Sequence, residues 1–283
     1  MSKKILVTGA TGQLGRAVVK ALSNKGFKLK LASTNPAKLS SQSSAEVVKM
    51  DYNDPATFDE AFKDVDSLFL IALPLDPQAP EKLRPVIDKA KTHKLNHIVF
   101  ISALGVDQNE QAPLRIAERY LMDSGINYTI LRPNFFMENF STGFIAPTIT
   151  SNAAIYLAAD KGKTSFVSTK DIAEVTATAF TKKLYGKEYN LTGLQALDHN
   201  EAAMLISEVI SKPVTYHALS EEQMIKAVRD SGMLEGSVQY LAFMYSLVRK
   251  NLMAVVTQDV EKLTGKKPKT FLEFAKENRS FWM

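Results

Sequence analysis

Short, wholly apolar runs alternate with amphipathic stretches along much of this chain. Ile5-Leu6-Val7 is apolar at every position and stops just before a glycine, the pattern of a central parallel strand covered on both faces. Beyond it, Leu14, Ala17, Val18, Ala21 and Leu22 fall at i, i+3, i+4, i+7 and i+8, one stripe of an amphipathic helix, and Gly26 offers a C-cap. A strand from Lys28 to Ser33 completes a β-α-β unit. Val47 to Met50, Leu68 to Leu73, His97 to Ser102 and Tyr128 to Leu131 continue the series as strands three to six. Between them, Phe58, Ala61 and Phe62 mark one helix, with Asp54 as N-cap and Pro55 at its first position. Leu83, Val86, Ile87 and Ala90 mark another, from about Pro80 to Thr92. A further helix from Leu114 to Ser124 turns Leu114, Ala117 and Leu121 inward, with Ile116 and Tyr120 as further candidates, and Gly125 ends it.

Past Asn139 the pattern predicts a loop or helix and two short strands, Ala153 to Ala158 and Thr164 to Val167. Asp171 opens a helix striped by Ile172, Val175, Thr176, Ala179 and Phe180, and Tyr189 to Thr192 is the last strand of the main sheet. Alternation at this spacing predicts a doubly wound α/β fold with a parallel Rossmann sheet. The expected division is a core over 1–192, with part of 135–170 contributing to a cleft, and a smaller α+β lobe over 193–283. In that lobe a helix from Asp198 to Ile210 precedes an edge strand from Pro213 to Ala218 and a helix from Glu221 to Ser231. Val238 to Val248 is unusually apolar for a surface helix. Val238, Leu241, Ala242 and Tyr245 share one face, while Tyr240, Phe243 and Met244 occupy others. Burial between lobes, a lid over a pocket and a subunit contact each account for that. Leu263 to Phe274 reads as a closing turn and helix.

Composition narrows the function without choosing it. With 283 residues, 45% apolar and 23% charged, the chain can bury a large core. A net charge of +5, from 35 basic and 30 acidic side chains, is too small an excess to imply a nucleic-acid partner. The absence of cysteine excludes disulfides, thiolate catalysis and Cys-ligated zinc, and fits a reducing compartment. The opening Met1-Ser2-Lys3-Lys4 is followed by only three apolar residues before Thr8 and the glycines, which makes neither an export signal nor a spanning helix. No later stretch approaches about eighteen apolar residues. The expectation is a cytoplasmic protein with no membrane association, as monomer or homodimer.

The chemistry concentrates in Gly9-Ala10-Thr11-Gly12-Gln13-Leu14-Gly15. Gly9 permits a tight turn, Gly12 lets the backbone approach phosphates, and Gly15 lets the helix pack closely on the strand; unpaired N–H groups at the helix start then bind a pyrophosphate. Flanked by strand, striped helix and second strand, the triad predicts a dinucleotide site. An NAD site normally ends its second strand with an acid that binds the ribose, and here the chain reads Ala32-Ser33-Thr34-Asn35-Pro36. Nothing there repels a 2'-phosphate, and Ser33, Thr34, Asn35 and Lys38 could donate to one, so NADP(H) is favoured over NAD(H). Asp51, at the carboxyl end of the third strand, is placed to accept from the adenine amino group.

Catalytic machinery is harder to find. His93, His97, His199 and His217 form no close ligand pair, there is no HExxH, and metal catalysis is not expected. Neither a GxSxG elbow nor a Tyr-x-x-x-Lys pair is present. Ser102 sits at the right strand end, either as a strand cap or as a hydrogen-bonding partner of substrate or cofactor. Phe135, Phe136, Met137 and Phe140 form either core or the wall of an apolar pocket. No catalytic residue is assigned.

Taken together, Gly9-Ala-Thr-Gly12-x-x-Gly15, Asn35-Pro-Ala-Lys38, Asp51-Tyr-Asn-Asp-Pro55, Leu131-Arg-Pro-Asn-Phe-Phe-Met-Glu-Asn139, Asp171-Ile-Ala173 and Leu263-Thr-Gly-Lys-Lys-Pro268 resemble the NmrA-like branch of the atypical short-chain dehydrogenases/reductases. In character the chain is nearest the bacterial NAD(P)H:quinone oxidoreductase and triphenylmethane reductase group. The resemblance implies a Rossmann core, a smaller C-terminal lobe and a substrate cleft between them. It implies Gly9, Thr11, Gly12, Gln13, Leu14 and Gly15 at the phosphates, Thr34, Asn35 and Lys38 near the adenosine ribose, and Asp51 near adenine. Leu73, Ser102, Pro133, Asn134, Phe135 and Phe136 would surround the nicotinamide. Two departures matter. Thr34 stands where many NADP-binding members have arginine, and Leu114, with Arg115 beside it, stands where many have lysine or histidine. The expected activity is hydride transfer from NAD(P)H to a small apolar or aromatic electrophile such as a quinone. The alternative is a non-catalytic NADP(H)-binding redox sensor. An epimerase or dehydratase would lack its Tyr-Lys pair.

Overall fold

The computed structural model describes residues 4–40 and 45–283, so the Met1–Lys3 start lies outside the described residues. Two compact units divide the chain. The first comprises the chain through Pro74, Gln78–Arg132 and Ile172–Asn190; the second comprises Leu75–Pro77, Pro133–Asp171 and Leu191–Met283.

The first unit is built from β1 (Lys4–Val7), α1 (Gln13–Asn24), β2 (Leu29–Ser33), α2 (Ala37–Ser40), β3 (Glu46–Lys49), α3 (Phe58–Phe62), β4 (Val65–Ile71), α4 (Ala79–Thr92), β5 (His97–Ile101), α5 (Pro113–Asp123) and β6 (Tyr128–Pro133). Its sheet has the order β3-β2-β1-β4-β5-β6 and ends on β8 (Lys187–Leu191). The pairs from β3 to β6 are all parallel, with Leu6 opposite both Lys30 and Leu68. Parallel pairing gathers the carboxyl ends of these strands at one edge, and the order reverses between β1 and β4, where α/β sheets bind ligands.

The apolar runs explain the strands: β2 and β5 are buried at every position. Lys30 is tolerated inside β2 because its Nζ donates to the carbonyls of Glu60 at 2.5 Å and Lys63 at 3.1 Å and pairs with Glu46 at 3.0 Å. The α4 stripe, Leu83, Val86, Ile87 and Ala90, joins Leu68, Ile98, Ala117 and Leu121 in one core. Ile116 is instead exposed. The fourth strand is displaced from the expected 68–73. Asp64, at φ 59°, makes the turn that starts it at Val65, and the chain has left the sheet by Ala72, before Pro74.

The second unit contains α6 (Ala146–Asn152), β7 (Ala154–Leu157), α8 (His199–Ile210), β9 (Thr215–Ala218), α9 (Glu221–Asp230), α10 (Glu235–Arg249), α11 (Asp259–Thr264) and α12 (Phe271–Glu277). A helix α7 (Thr169–Lys182) starts in this unit and finishes in the first. β7 and β9 pair in parallel, Ala154 opposite Thr215. Capping boxes at Asp198/Glu201, Ser220/Gln223 and Thr270/Glu273 satisfy the donors that open α8, α9 and α12. The core is aromatic, with Phe140, Phe166, Phe271, Phe274, Tyr245 and Trp282, and Trp282 Nε1 donates to the Phe140 carbonyl at 2.7 Å. The strand expected over Thr164–Val167 is not continuous: Thr164 bridges Leu197 and Val167 bridges Phe136, each in isolation. Different partners at its two ends prevent a ladder from forming. The inward face of α10 is Val238, Leu241, Ala242 and Tyr245 together with Val248.

Candidate functional site

The glycine segment begins where β1 ends. Thr8 donates from its backbone N–H to Phe69 O at 3.1 Å, and its hydroxyl donates to the same carbonyl at 3.0 Å. Gly9 follows with φ at 63°, the left-handed region, and a Cβ there would lie 2.8 Å from Ile71 Cγ2. The Gly12 N–H returns to Gly9 O at 2.9 Å and closes the turn. Gly12 then N-caps α1 with no side-chain cap, and the first turn of α1 carries no acid. A Cβ on Gly15 would fall 2.0 Å from Gly9 O and 2.9 Å from Ala10 Cα, so only glycine lets α1 rest on the turn. Arg16 reinforces it, donating from Nη1 to Thr11 O at 2.7 Å. A helix start with its positive dipole end, no capping side chain and no carboxylate suits a phosphate oxygen, and the residues present fit a dinucleotide pyrophosphate.

At the end of β2, the Ser33 hydroxyl donates to Asn35 O at 3.1 Å and accepts from Asn35 N at 3.0 Å. That local turn uses the hydroxyl expected to be open to a phosphate, and leaves Thr34, Asn35 and Lys38 exposed with no acid in the segment from Ser33 to Lys38. Asp51 is half-buried; its Oδ1 accepts from Asn53 N at 2.9 Å, and its N–H donates to Thr57 Oγ1 at 3.0 Å. Asp54 caps a single helical turn over Pro55–Thr57, accepting from Ala56 N at 3.3 Å. Between them Tyr52 donates its hydroxyl to Ile71 O at 2.8 Å, and burial raises that hydroxyl's pKa well above its ordinary value. Sequence reasoning placed Ile71 in a strand but gave Tyr52 no role of its own, because a loop tyrosine gives no periodic signal.

Past the ends of β4 and β5 lie Leu73 and Ser102. Leu73 is 45% exposed. Ser102 is 5% exposed, and its Oγ has no hydrogen-bond partner among the described residues. A strand-capping serine would use that hydroxyl, and its partnerless oxygen leaves it available to a bound polar group. Leu114 packs half-buried against the core of the first unit. Arg115 beside it is fully committed, donating to Glu110 Oε1 from Nη2 at 2.9 Å and to Glu118 Oε2 from Nη1 at 2.8 Å. Arg132 grips Glu118 from the other side at 2.7 Å and also pairs with Glu188. Burial works against the Arg132 charge, but the two carboxylates more than offset it and hold the guanidinium above its ordinary pKa.

Pro133, Asn134 and Phe135 belong to the second unit. The Asn134 amide donates to Ser165 Oγ at 2.7 Å and Met253 O at 2.9 Å, and its Oδ1 accepts from Phe135 N at 2.9 Å. Phe135 packs beside the Tyr245 ring at 5.7 Å, while Met137 and Phe140 are core. His97 and His199 sit buried in packing roles. His97 Nε2 lies 2.8 Å from Thr129 Oγ1, whose own proton goes to Leu184 O at 2.7 Å, so the ring nitrogen donates. Burial lowers the His97 pKa to about 4, and that of His199, among Phe140, Phe166, Tyr216 and Tyr245, to about 3. Among the described residues no group of three or more His, Asp or Glu side chains is placed to hold a metal ion.

Comparison with known proteins bears on the same segment. A family model described as NAD(P)H-binding matches residues 9–183, more than half of the chain. The chain belongs to the NAD(P)H-binding family. That span contains the glycine turn, the Ser33–Lys38 segment, Asp51, Leu73 and Ser102. Among relatives of this NAD(P)H-binding chain, prestalk A differentiation protein A of Dictyostelium discoideum is 33% identical over 98% of this chain and 92% of its own. An NAD(P)H azoreductase of Xenophilus azovorans is 31% identical over 96% of each. The structure of an NADPH-dependent quinone oxidoreductase from Escherichia coli, complexed with NADPH, superposes with a TM-score of 0.84 at 29% identity, covering 96% of this chain and 99% of the other. The fold is thus of the NmrA-like and quinone oxidoreductase-like kind, and no described helix is long and apolar enough to cross a membrane.

Proposed function

We propose that this protein is an NADPH-dependent reductase of a small apolar electrophile, a quinone or quinone-like compound. The glycine turn carries this reading: an N-cap free of side chain and carboxylate is built for a dinucleotide pyrophosphate. Gly9, Thr11, Gly12, Gln13, Leu14 and Gly15 would hold the phosphates, Thr34, Asn35 and Lys38 the adenosine ribose, and Asp51 the adenine. Leu73, Ser102, Pro133, Asn134 and Phe135 would meet the nicotinamide, Asn134 through its backbone because its amide is already engaged. The preference for NADPH is supported by the absence of an acid from Ser33 to Lys38, with exposed Thr34, Asn35 and Lys38 as donors. When bound, the reduced nicotinamide supplies a hydride. Two-electron reduction of a quinone leaves a hydroquinone anion that takes its proton from water, so a general acid in the protein is not needed. This suits a chain whose Leu114 cannot donate a proton and whose Arg115 is tied to Glu110 and Glu118. The azoreductase and quinone oxidoreductase names of two similar proteins agree with an apolar, aromatic acceptor.

A second reading is favoured by the same Leu114: a cofactor-binding regulatory protein without turnover. Loss of reduced-nicotinamide absorbance across a panel of benzo- and naphthoquinones, with NADPH and with NADH, separates the two. Turnover with NADPH and a lower KM than for NADH is expected. Tight NADPH binding without turnover on any quinone overturns the reductase reading, and equal or better use of NADH overturns the cofactor preference.

A further inference from the structure

Ile71 closes β4 at a point where the backbone ladder runs out. β1 ends at Val7, opposite Phe69, so the Ile71 N–H has no β1 strand carbonyl to meet. It donates instead to Thr8 Oγ1 at 3.1 Å, and its carbonyl accepts from the Tyr52 hydroxyl at 2.8 Å. Both polar atoms of this one peptide position are therefore held by side chains. Tyr52 comes from the loop after β3, and because β3 and β4 are not neighbours in the order β3-β2-β1-β4, that loop runs along the carboxyl edge to bring the Tyr52 hydroxyl to β4. The Ile71 side chain, in turn, forms the surface beneath Gly9: Cγ2 stands 2.8 Å from where a Gly9 Cβ would be. Gly9 O receives the Gly12 N–H that shapes the N-cap of α1.

We propose that Tyr52 is a positioning residue for the phosphate-binding turn: with Thr8 it clamps the Ile71 peptide beneath Gly9 and holds the turn in the shape the dinucleotide binds. This rests on the dinucleotide reading above. Tyr52 touches no reacting atom, so its loss acts on cofactor affinity and leaves the chemical step alone. A loosened turn must be reordered on binding, at the expense of affinity. Burial keeps the Tyr52 hydroxyl protonated and able to donate across the working pH range.

The test measures NADPH Kd by fluorescence titration, with thermal melts of the same samples, for wild type, Tyr52→Phe, Thr8→Val and His97→Gln. Tyr52→Phe keeps the ring and removes only the hydroxyl, and Thr8→Val attacks the same peptide from its other side. His97→Gln disturbs a buried hydrogen bond at the amino end of β5 and serves as the control for lost stability alone. The expected result is an NADPH Kd raised about three- to tenfold in both clamp variants, the scale of one hydrogen bond, with His97→Gln within twofold of wild type. If turnover is present, KM for NADPH rises and kcat at saturation holds. Clamp variants that melt lower yet bind NADPH within twofold of wild type overturn the proposal, as does a control that weakens binding equally. If Tyr52→Phe does not fold, Thr8→Val alone decides. Wild-type protein that binds neither dinucleotide overturns the cofactor reading itself, and this inference with it.

Discussion

Gly15 and Ser102 test the site in opposite ways. At Gly15 an added methyl group would sit 2.0 Å from the Gly9 carbonyl oxygen, and backbone cannot yield as the end of a flexible side chain can. Gly15→Ala should therefore push α1 off the turn and raise the NADPH Kd by more than about tenfold, read by the same titration. Ser102 carries a hydroxyl already stripped of water with no partner among the described residues. Its removal forfeits no bond, so Ser102→Ala should melt at or slightly above the wild-type temperature. If the hydroxyl meets cofactor or substrate, the same variant loses affinity or turnover by about tenfold at unchanged stability. A lowered melting temperature with full activity would assign Ser102 to structure instead.

Among the elements, α5 and β6 are joined by charge. Glu118 is 0% exposed and lies between the Arg115 and Arg132 guanidinium groups. Removing it leaves two buried cations facing each other, which typically costs about 3–5 kcal/mol. Glu118→Ala should show that loss in chemical denaturation. Arg119→Ala, which removes an exposed partner of Glu110, should change stability by less than about 1 kcal/mol. This network marks the limit of reading elements from sequence. The β1-α1-β2 unit was legible because Ile5-Leu6-Val7 and the α1 stripe carry unambiguous periods and glycines punctuate them. The inward charges of α5 were not, because a buried Glu118 breaks the apolar period that locates a core. Strand ends depended on local turns: β4 starts at Val65 because Asp64 takes a positive φ, which no apolar pattern announces. Residues 164–167 have a strand's composition, but a strand also needs a partner, and theirs changes along its length. At the site, the glycines declared themselves by spacing. The Thr8–Ile71–Tyr52 clamp joins residues 63 and 19 apart in sequence and becomes visible only once the sheet order is known.

Each unit of the whole molecule encloses one neutral histidine, His97 in the first and His199 in the second. Burial lowers the folded pKa of His97 from 6.5 to about 4 and that of His199 from 6.5 to about 3. Between the folded and unfolded values the unfolded chain binds the extra proton. Stability is therefore full above about pH 6.5 and falls as the pH drops towards those lower values. For His97 the loss is on the order of 3 kcal/mol by pH 4. Thermal melts from pH 7 to pH 4 should show a decline that His97→Gln partly flattens; parallel curves for the two proteins would exclude His97 as a source of acid lability.

The course of the chain has a consequence for recombination. Unit boundaries fall between residues 74 and 75, 77 and 78, 132 and 133, 171 and 172, and 190 and 191. A chimera joined to a relative at a single point near residue 192 would inherit Met137, Phe140, Phe166 and their neighbours from one parent, and Phe271, Phe274 and Trp282 from the other. These side chains share one core. Exchanging the second unit intact between two such proteins therefore requires the 133–171 segment to travel with the C-terminal part as a single cassette.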